Sequence, residues 1–113
     1  MTPDELAKAC PADPVLRAIA GRWKTHVLYF LGENGPARFT MLQRRLAPVS
    51  PKVLSSRLKE LAEDGMIWRK QEATIPPKVT YGLTDLGGEV HTVLKSFDPL
   101  GKKIESEAAK DPS

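Results

Sequence analysis

The sequence predicts a mainly α-helical fold with a small β-hairpin: a winged helix-turn-helix. Three observations carry this reading. A proline-serine-proline punctuated stretch, residues 39–61, reads as a short helix, a tight turn and a longer helix. Directly after it, two runs with strand-like patterning flank Thr74-Ile75-Pro76-Pro77, which makes a hairpin beside the longer helix. Positive charge is concentrated on this same stretch. Between Arg38 and Lys78 there are nine basic and four acidic residues, net +5, while the rest of the chain is net −2. A polyanion partner accounts for such a bias, because neutralised phosphates release counterions, and on charge alone a solvated, mildly basic surface accounts for it equally.

The elements follow in order. Residues 1–12 read as a loosely ordered tail. Asp13 is expected to cap a first helix with Pro14 at its first position. Val15, Leu16 and Ile19 form its apolar stripe, and Gly21 ends it. Trp23, Val27, Phe30 and Leu31 fall at helical spacing, with Leu28 alongside, so a second helix spans about 22–32. Gly32-Glu33-Asn34-Gly35-Pro36 stops it. A third, short helix spans about 40–46, with Thr40 as a candidate cap and Met41, Leu42 and Leu46 facing inward.

The fourth helix has the strongest boundary signals. Ser50 is the N-cap and Pro51 sits at N1. Val49 and Leu54 stand at the positions of a hydrophobic staple. At the other end Gly65 suits the left-handed position after the helix, with Met66 placed to touch Leu61. At 100° per residue, Leu54, Leu58 and Leu61 lie within about 60° of arc and face the core. Lys52, Ser56 and Lys59 point away, Ser55 lies on the flank, and acid comes only later, at Glu60, Glu63 and Asp64. A helix entering the major groove reads bases with its N-terminal half, and this charge order agrees with that. Lys52, Ser55, Ser56 and Lys59, with Ser50 at the cap, are therefore the candidate base and phosphate contacts. Arg38, Arg44, Arg69, Lys70 and Lys78 are candidates for clamping phosphates. Arg57, nearer the buried stripe, suits an intramolecular role as well as it suits a DNA contact.

Met66 to Lys70 begins one strand, and Val79, Tyr81 and Leu83 alternate with Lys78, Thr80 and Gly82 in the next. Prolines cannot donate to a ladder and belong at the tip. Thr84 caps a last helix with the stripe Leu86, Val90, Val93, Leu94 and Phe97. Pro99 should kink or restart it, and Leu100 and Ile104 continue the apolar face. That face is larger than one small domain needs. The domain is expected to span 13–106, and residues 107–113 read as a frayed tail.

Other classes find little support. The apolar runs are short and interrupted by charge, so no membrane-spanning helix is expected. The N-terminus carries Asp4 and Glu5 and lacks a signal sequence, so the chain is expected in the cytoplasm. One cysteine, Cys10, allows no internal disulfide and gives a metal site no thiolate pair. His26 and His91 lack metal-ligand spacing. There is no Gly-rich phosphate loop, acid pair or nucleophile elbow, so neither catalysis nor a cofactor is expected. Trp23, Trp68, Tyr81 and Phe97 read most simply as core or interface, or as the lining of an effector pocket.

Several short motifs stand in a telling order: Cys10-Pro11, Gly21-Arg22-Trp23, Arg38-Phe39, Ser50-Pro51-Lys52-Val53-Leu54, Gly65-Met66-Ile67, and Pro77 to Gly87 through Tyr81-Gly82-Leu83-Thr84-Asp85. Together, over about residues 10–101, they resemble the HxlR family of bacterial winged helix-turn-helix transcriptional regulators. The resemblance implies a homodimer joined by terminal helices and bound to double-stranded DNA at a roughly palindromic operator. It also implies that Cys10 occupies a position that some members use to sense oxidants or electrophiles. Departures are Pro48-Val49 where the family has Gly-Ile in the turn, Thr80 in place of an acid, and Gly82 in place of serine. The function expected is thus a sequence-specific, dimeric DNA-binding regulator acting as a repressor, with an oxidant or small molecule as signal. The competing reading is a winged-helix interaction module that has lost DNA binding.

Overall fold

The computed structural model describes residues 2–8 and 10–110. Among them are seven helices and three short strands: α1 Pro3–Lys8, α2 Asp13–Ile19, α3 Lys24–Asn34, β1 Ala37–Arg38, α4 Phe39–Arg45, α5 Pro51–Glu63, β2 Ile67–Glu72, β3 Lys78–Leu83, α6 Asp85–Ser96 and α7 Asp98–Lys110. The winged helix-turn-helix is present: α4, a turn and α5, followed by the β2–β3 wing.

The core sits where α3, α4, α5 and the sheet converge. Leu28, Leu42, Leu54, Leu58, Leu61 and Val27 are fully buried, joined by Leu31, Leu46, Val49, Met66, Ile67, Tyr81 and Val90. The three leucines of α5 form the buried stripe that its periodicity predicts. Both ends of α5 close as expected. The Ser50 hydroxyl oxygen accepts a hydrogen bond from the Val53 amide at 3.1 Å, with Pro51 at the first helical position. At the far end Gly65 adopts φ +75°. The Met66 amide reaches the Leu61 carbonyl at 2.9 Å and the Gly65 amide that of Ala62 at 3.1 Å. These are the two bonds of a Schellman motif.

Elsewhere the structure departs from expectation. The segment read as a loose tail contains α1, and α7 continues through Lys110, so much of the stretch expected to fray from 107 is helical. The remaining residues of that tail, 111–113, lie outside the described ones. Asp13 does not cap α2. It is the first helical residue, and its carboxylate pairs with Arg17 at 2.6 Å, so the side chain is spent on an i,i+4 ion pair. Thr40 lies inside α4 and Arg38 holds the cap position without a side-chain bond. Met41 is largely exposed, because the face of α4 that packs is centred on Leu42 and Leu46. Val15 and Leu16 also remain exposed on α2.

The sheet has three strands in the order β1-β3-β2, all antiparallel, where a simple hairpin was expected. Ala37 pairs with Tyr81 and Arg38 with Thr80, tying the start of α4 to the wing. Helix α3 starts two residues later than expected, because Trp23 adopts φ 80°, a left-handed conformation that no helix can include. Pro99 restarts the chain as α7 after Phe97. At the start of α6, Thr84 caps the helix by accepting from the Gly87 amide at 3.1 Å, and its own amide donates to the Met66 carbonyl at 3.1 Å. Gly87 is required there: a Cβ would lie 1.9 Å from the Met66 carbonyl oxygen.

Candidate nucleic-acid interface

Helix α5 turns Lys52, Ser55, Ser56 and Lys59 to solvent. Among the described residues none of these four side chains makes an ion pair or a hydrogen bond, so their donors are available to a ligand. Ser50 is exposed as well, but its oxygen is engaged by the cap. Its hydroxyl proton remains to donate.

The wing stands beside this face. Arg38, Ser55, Arg69 and Lys78 line a single cleft of about 480 Å³ between α5 and the β2–β3 tip. Arg69 is braced by donating to the Gln71 side chain at 3.0 Å. Arg44 lines a neighbouring cleft of about 420 Å³ with Arg38 and Arg45. Five of the predicted residues are thereby brought into two adjoining clefts that share Arg38. Lys70 lines neither. It pairs with Thr80 while Arg69 pairs with Tyr81. Arg38 and Lys70 instead flank Thr80 in one cross-strand row.

Sequence reasoning missed the device that aims α5. Lys24 is buried, and its Nζ lies 2.9 Å from the Glu60 carboxylate. Arg57 reaches the same carboxylate at 3.0 Å, and its Nε donates to the Arg22 carbonyl at 3.0 Å. Of the two roles the sequence leaves open for Arg57, the intramolecular one is present. The Glu60 hydrogen bond to Lys24 holds its carboxyl below the ordinary glutamate value, against partial desolvation. The Gly21-Arg22-Trp23 motif gains a physical purpose here. Its left-handed turn presents the Arg22 carbonyl to Arg57, and the Arg22 guanidinium lies 5.1 Å from the centre of the Trp23 ring. Lys24 stands three and four residues before Val27 and Leu28, on the buried side of α3. That position was the available signal.

Cys10 is exposed and free, just before α2. The side chain of Lys8, two residues earlier in the sequence, lies outside the described ones. Of the aromatic residues, Tyr81 is buried, Trp68 lies over Gly82, and Phe97 is half exposed. His91 is within 3.1 Å of the Glu33 carboxylate. Among the described residues no group of three or more His, Cys, Asp or Glu is placed to hold a metal ion. Among the described residues no helix is long and apolar enough to cross a membrane.

A basic, open helix with a cationic wing is a geometry for duplex DNA, and comparison with known proteins agrees. The model of the HxlR-like helix-turn-helix family matches residues 18–109. The chain belongs to the HxlR family. Among its relatives, the HTH-type transcriptional regulator BH0655 of Halalkalibacterium halodurans is 41% identical over 96 residues, covering 85% of each chain. The solved structure of the transcriptional regulator YtfH of Salmonella typhimurium is 32% identical with a TM-score of 0.78, over 93% of this chain and 94% of that one. The redox regulator HypR in its reduced form is 26% identical with a TM-score of 0.80, over 90% and 100%. This HxlR-family chain is thus an HTH-type transcriptional regulator, in a family of regulators and not of enzymes.

Proposed function

We propose that two copies of the chain bind a pseudo-palindromic operator and repress by occluding a promoter. Each copy lays α5 in a major groove and the β2–β3 wing along the flanking backbone. The observation that carries this is the unpartnered Lys52, Ser55, Ser56, Lys59 face of α5, continuous with the cleft lined by Arg38, Arg69 and Lys78. Lysines suit phosphates or guanine edges and serines suit either. Arg44 and Lys70 extend the cationic surface to phosphates on either side.

Support for the dimer comes from an apolar surface that one chain leaves open. Val15 and Leu16 of α2, with Leu86, Val93 and Phe97 of α6, border a groove of about 350 Å³. Leu100 and Ile104 of α7 are 53% and 70% exposed. Such a surface marks an interaction site, and a second copy presents the same surface in return.

Selection of bound fragments from genomic DNA tests the proposal. Bound fragments should carry inverted half-sites about 10 bp apart, or a multiple of that, centre to centre. An absence of fragment preference would favour the interaction-module reading. The signal is proposed to act at Cys10, on the strength of its exposure and the likeness to HypR. A Cys10→Ser variant that loses operator binding in diamide as the wild type does would refute this.

A further inference from the structure

Away from the α5 face, a cavity of about 600 Å³ opens between α3, the end of α4 and the joint between α6 and α7. Its size matches sites for drug-sized molecules. Its apolar lining comes from Tyr29 and Phe30 of α3, Leu46 beside the turn, Leu94 of α6 and Phe97 at the joint, so aromatic rings are supplied both from α3 and from the α6–α7 joint. The two acids on its lining are Glu33 and Asp98, and no lysine or arginine lines it. That is the reverse of the chain's charge bias. Glu33 is already matched, by Lys95 at 3.2 Å and by His91 at 3.1 Å. Asp98 is not. Its partner is the Tyr29 hydroxyl, which donates to it at 2.8 Å, and among the described residues it forms no ion pair.

We propose that this cavity binds an apolar organic monocation, with its charge against Asp98 and its body among the aromatic rings. The chemistry is specific. A carboxylate lacking a cation, set beside Tyr29, Phe30 and Phe97, offers both a counter-ion and ring faces to a positive centre. An anion would meet two carboxylates. A neutral apolar molecule would leave Asp98 unpaired under its body. Strongly hydrated small amines would gain little from the rings. The ligand class is therefore a weakly hydrated cation carrying aryl or alkyl groups. Recognition of DNA is not involved, so this inference stands or falls separately from the proposed operator binding.

Calorimetric titration of the full chain with tetraphenylphosphonium, without DNA, is the test. The control is triphenylphosphine oxide, which keeps the aryl body and lacks the charge. The phosphonium should bind saturably, one per chain, and at least about ten-fold more tightly than the oxide. Asp98→Asn and Asp98→Ser each keep a polar group at the first position of α7 and remove the charge. Each should abolish the preference while the far-ultraviolet circular dichroism stays that of wild type. Tyr29→Phe frees the carboxylate and should retain the preference. Equal affinity for the two compounds, an undiminished preference in the folded Asp98 variants, or no saturable heat with the phosphonium would each overturn the proposal.

Discussion

At the scale of single residues, two adjacent glycines separate packing from tolerance. Gly87 has the Met66 carbonyl where its Cβ would go, whereas nothing lies within 4 Å of a Cβ at Gly88. Gly87→Ala should destabilise by about 1–3 kcal/mol or more, through forced displacement of α6. Gly88→Ala should stabilise by about 0.5–1 kcal/mol, through helix propensity. Urea denaturation of the two variants checks both signs. The same method should show a loss of about 1 kcal/mol for Ser50→Ala, which orphans the Val53 amide. In the sequence a glycine pair near a helix start is a cost to propensity, which suggests close packing or simple tolerance without choosing between them. Its purpose depends on a carbonyl about 20 residues away, and no local pattern encodes that. Lys24 was hidden for a related reason. A lysine reads as solvent-facing until the carboxylate that pairs with it is located, and Glu60 lies on another helix.

At the scale of elements, the ion pairs predict a pH dependence. Hydrogen bonding to Lys95 holds the Glu33 carboxyl below its ordinary value, and hydrogen bonding to Lys24 does the same for Glu60. For a carboxylate depressed in the folded state, the unfolded chain takes up protons first. The stabilisation is therefore complete above the ordinary glutamate range and is lost as pH falls through the lower, folded value. The thermal midpoint should hold steady from neutrality down to that range and then decline. Glu60→Gln should lower the midpoint at neutral pH, because it weakens the link from α3 to α5 around a buried lysine, and should shrink the acid loss. Midpoints measured across a pH series test both statements. Legibility at this scale followed the chemistry of helix ends. Helix α5 could be bounded at both termini because serine, proline and glycine each have one good reason to be where they are. Helix α2 could not be, because an aspartate can serve an ion pair instead of a cap, as Asp13 does. Strand β1, two residues long, has no period to detect. Helix α7 ran past expectation because its end carries no such punctuation, whereas α1 was overlooked although its start is marked: the Thr2 and Glu5 amides donate to each other's side chains at 3.0 and 3.2 Å, a capping box.

At the scale of the whole molecule, the charge segregation makes operator affinity salt-dependent. Changing Lys52 and Lys59 together to alanine should weaken binding and reduce the slope of log affinity against log salt by about one to two. Anisotropy titrations at several salt concentrations measure it, and an unchanged slope would remove α5 from the groove. The proposed dimer is probed by Leu100→Asp with Ile104→Asp. Sedimentation should show a dimer for wild type at micromolar concentration and a monomer for the double variant. A wild-type monomer would sink the two-fold arrangement. The clustering of basic residues was legible before any coordinates, since it needs only their positions in the chain. Their division between clefts was not. Arg69 lines the wing cleft and its neighbour Lys70 does not, and Arg38 joins that cleft through a strand that the sequence does not announce.

The contact of Gly87 with Met66 has a mechanical consequence. It bolts the base of α6 to the chain just beyond α5 with a joint one carbonyl thick, and Thr84 adds a second fastening. In the proposed assembly α6 and α7 meet the other copy, so the distance and angle between the two α5 helices are set through a nearly rigid strut. Such a frame measures its target like a fixed-width gauge. One base pair added between half-sites rotates one of them by about a tenth of a turn, and the frame has no slack with which to follow.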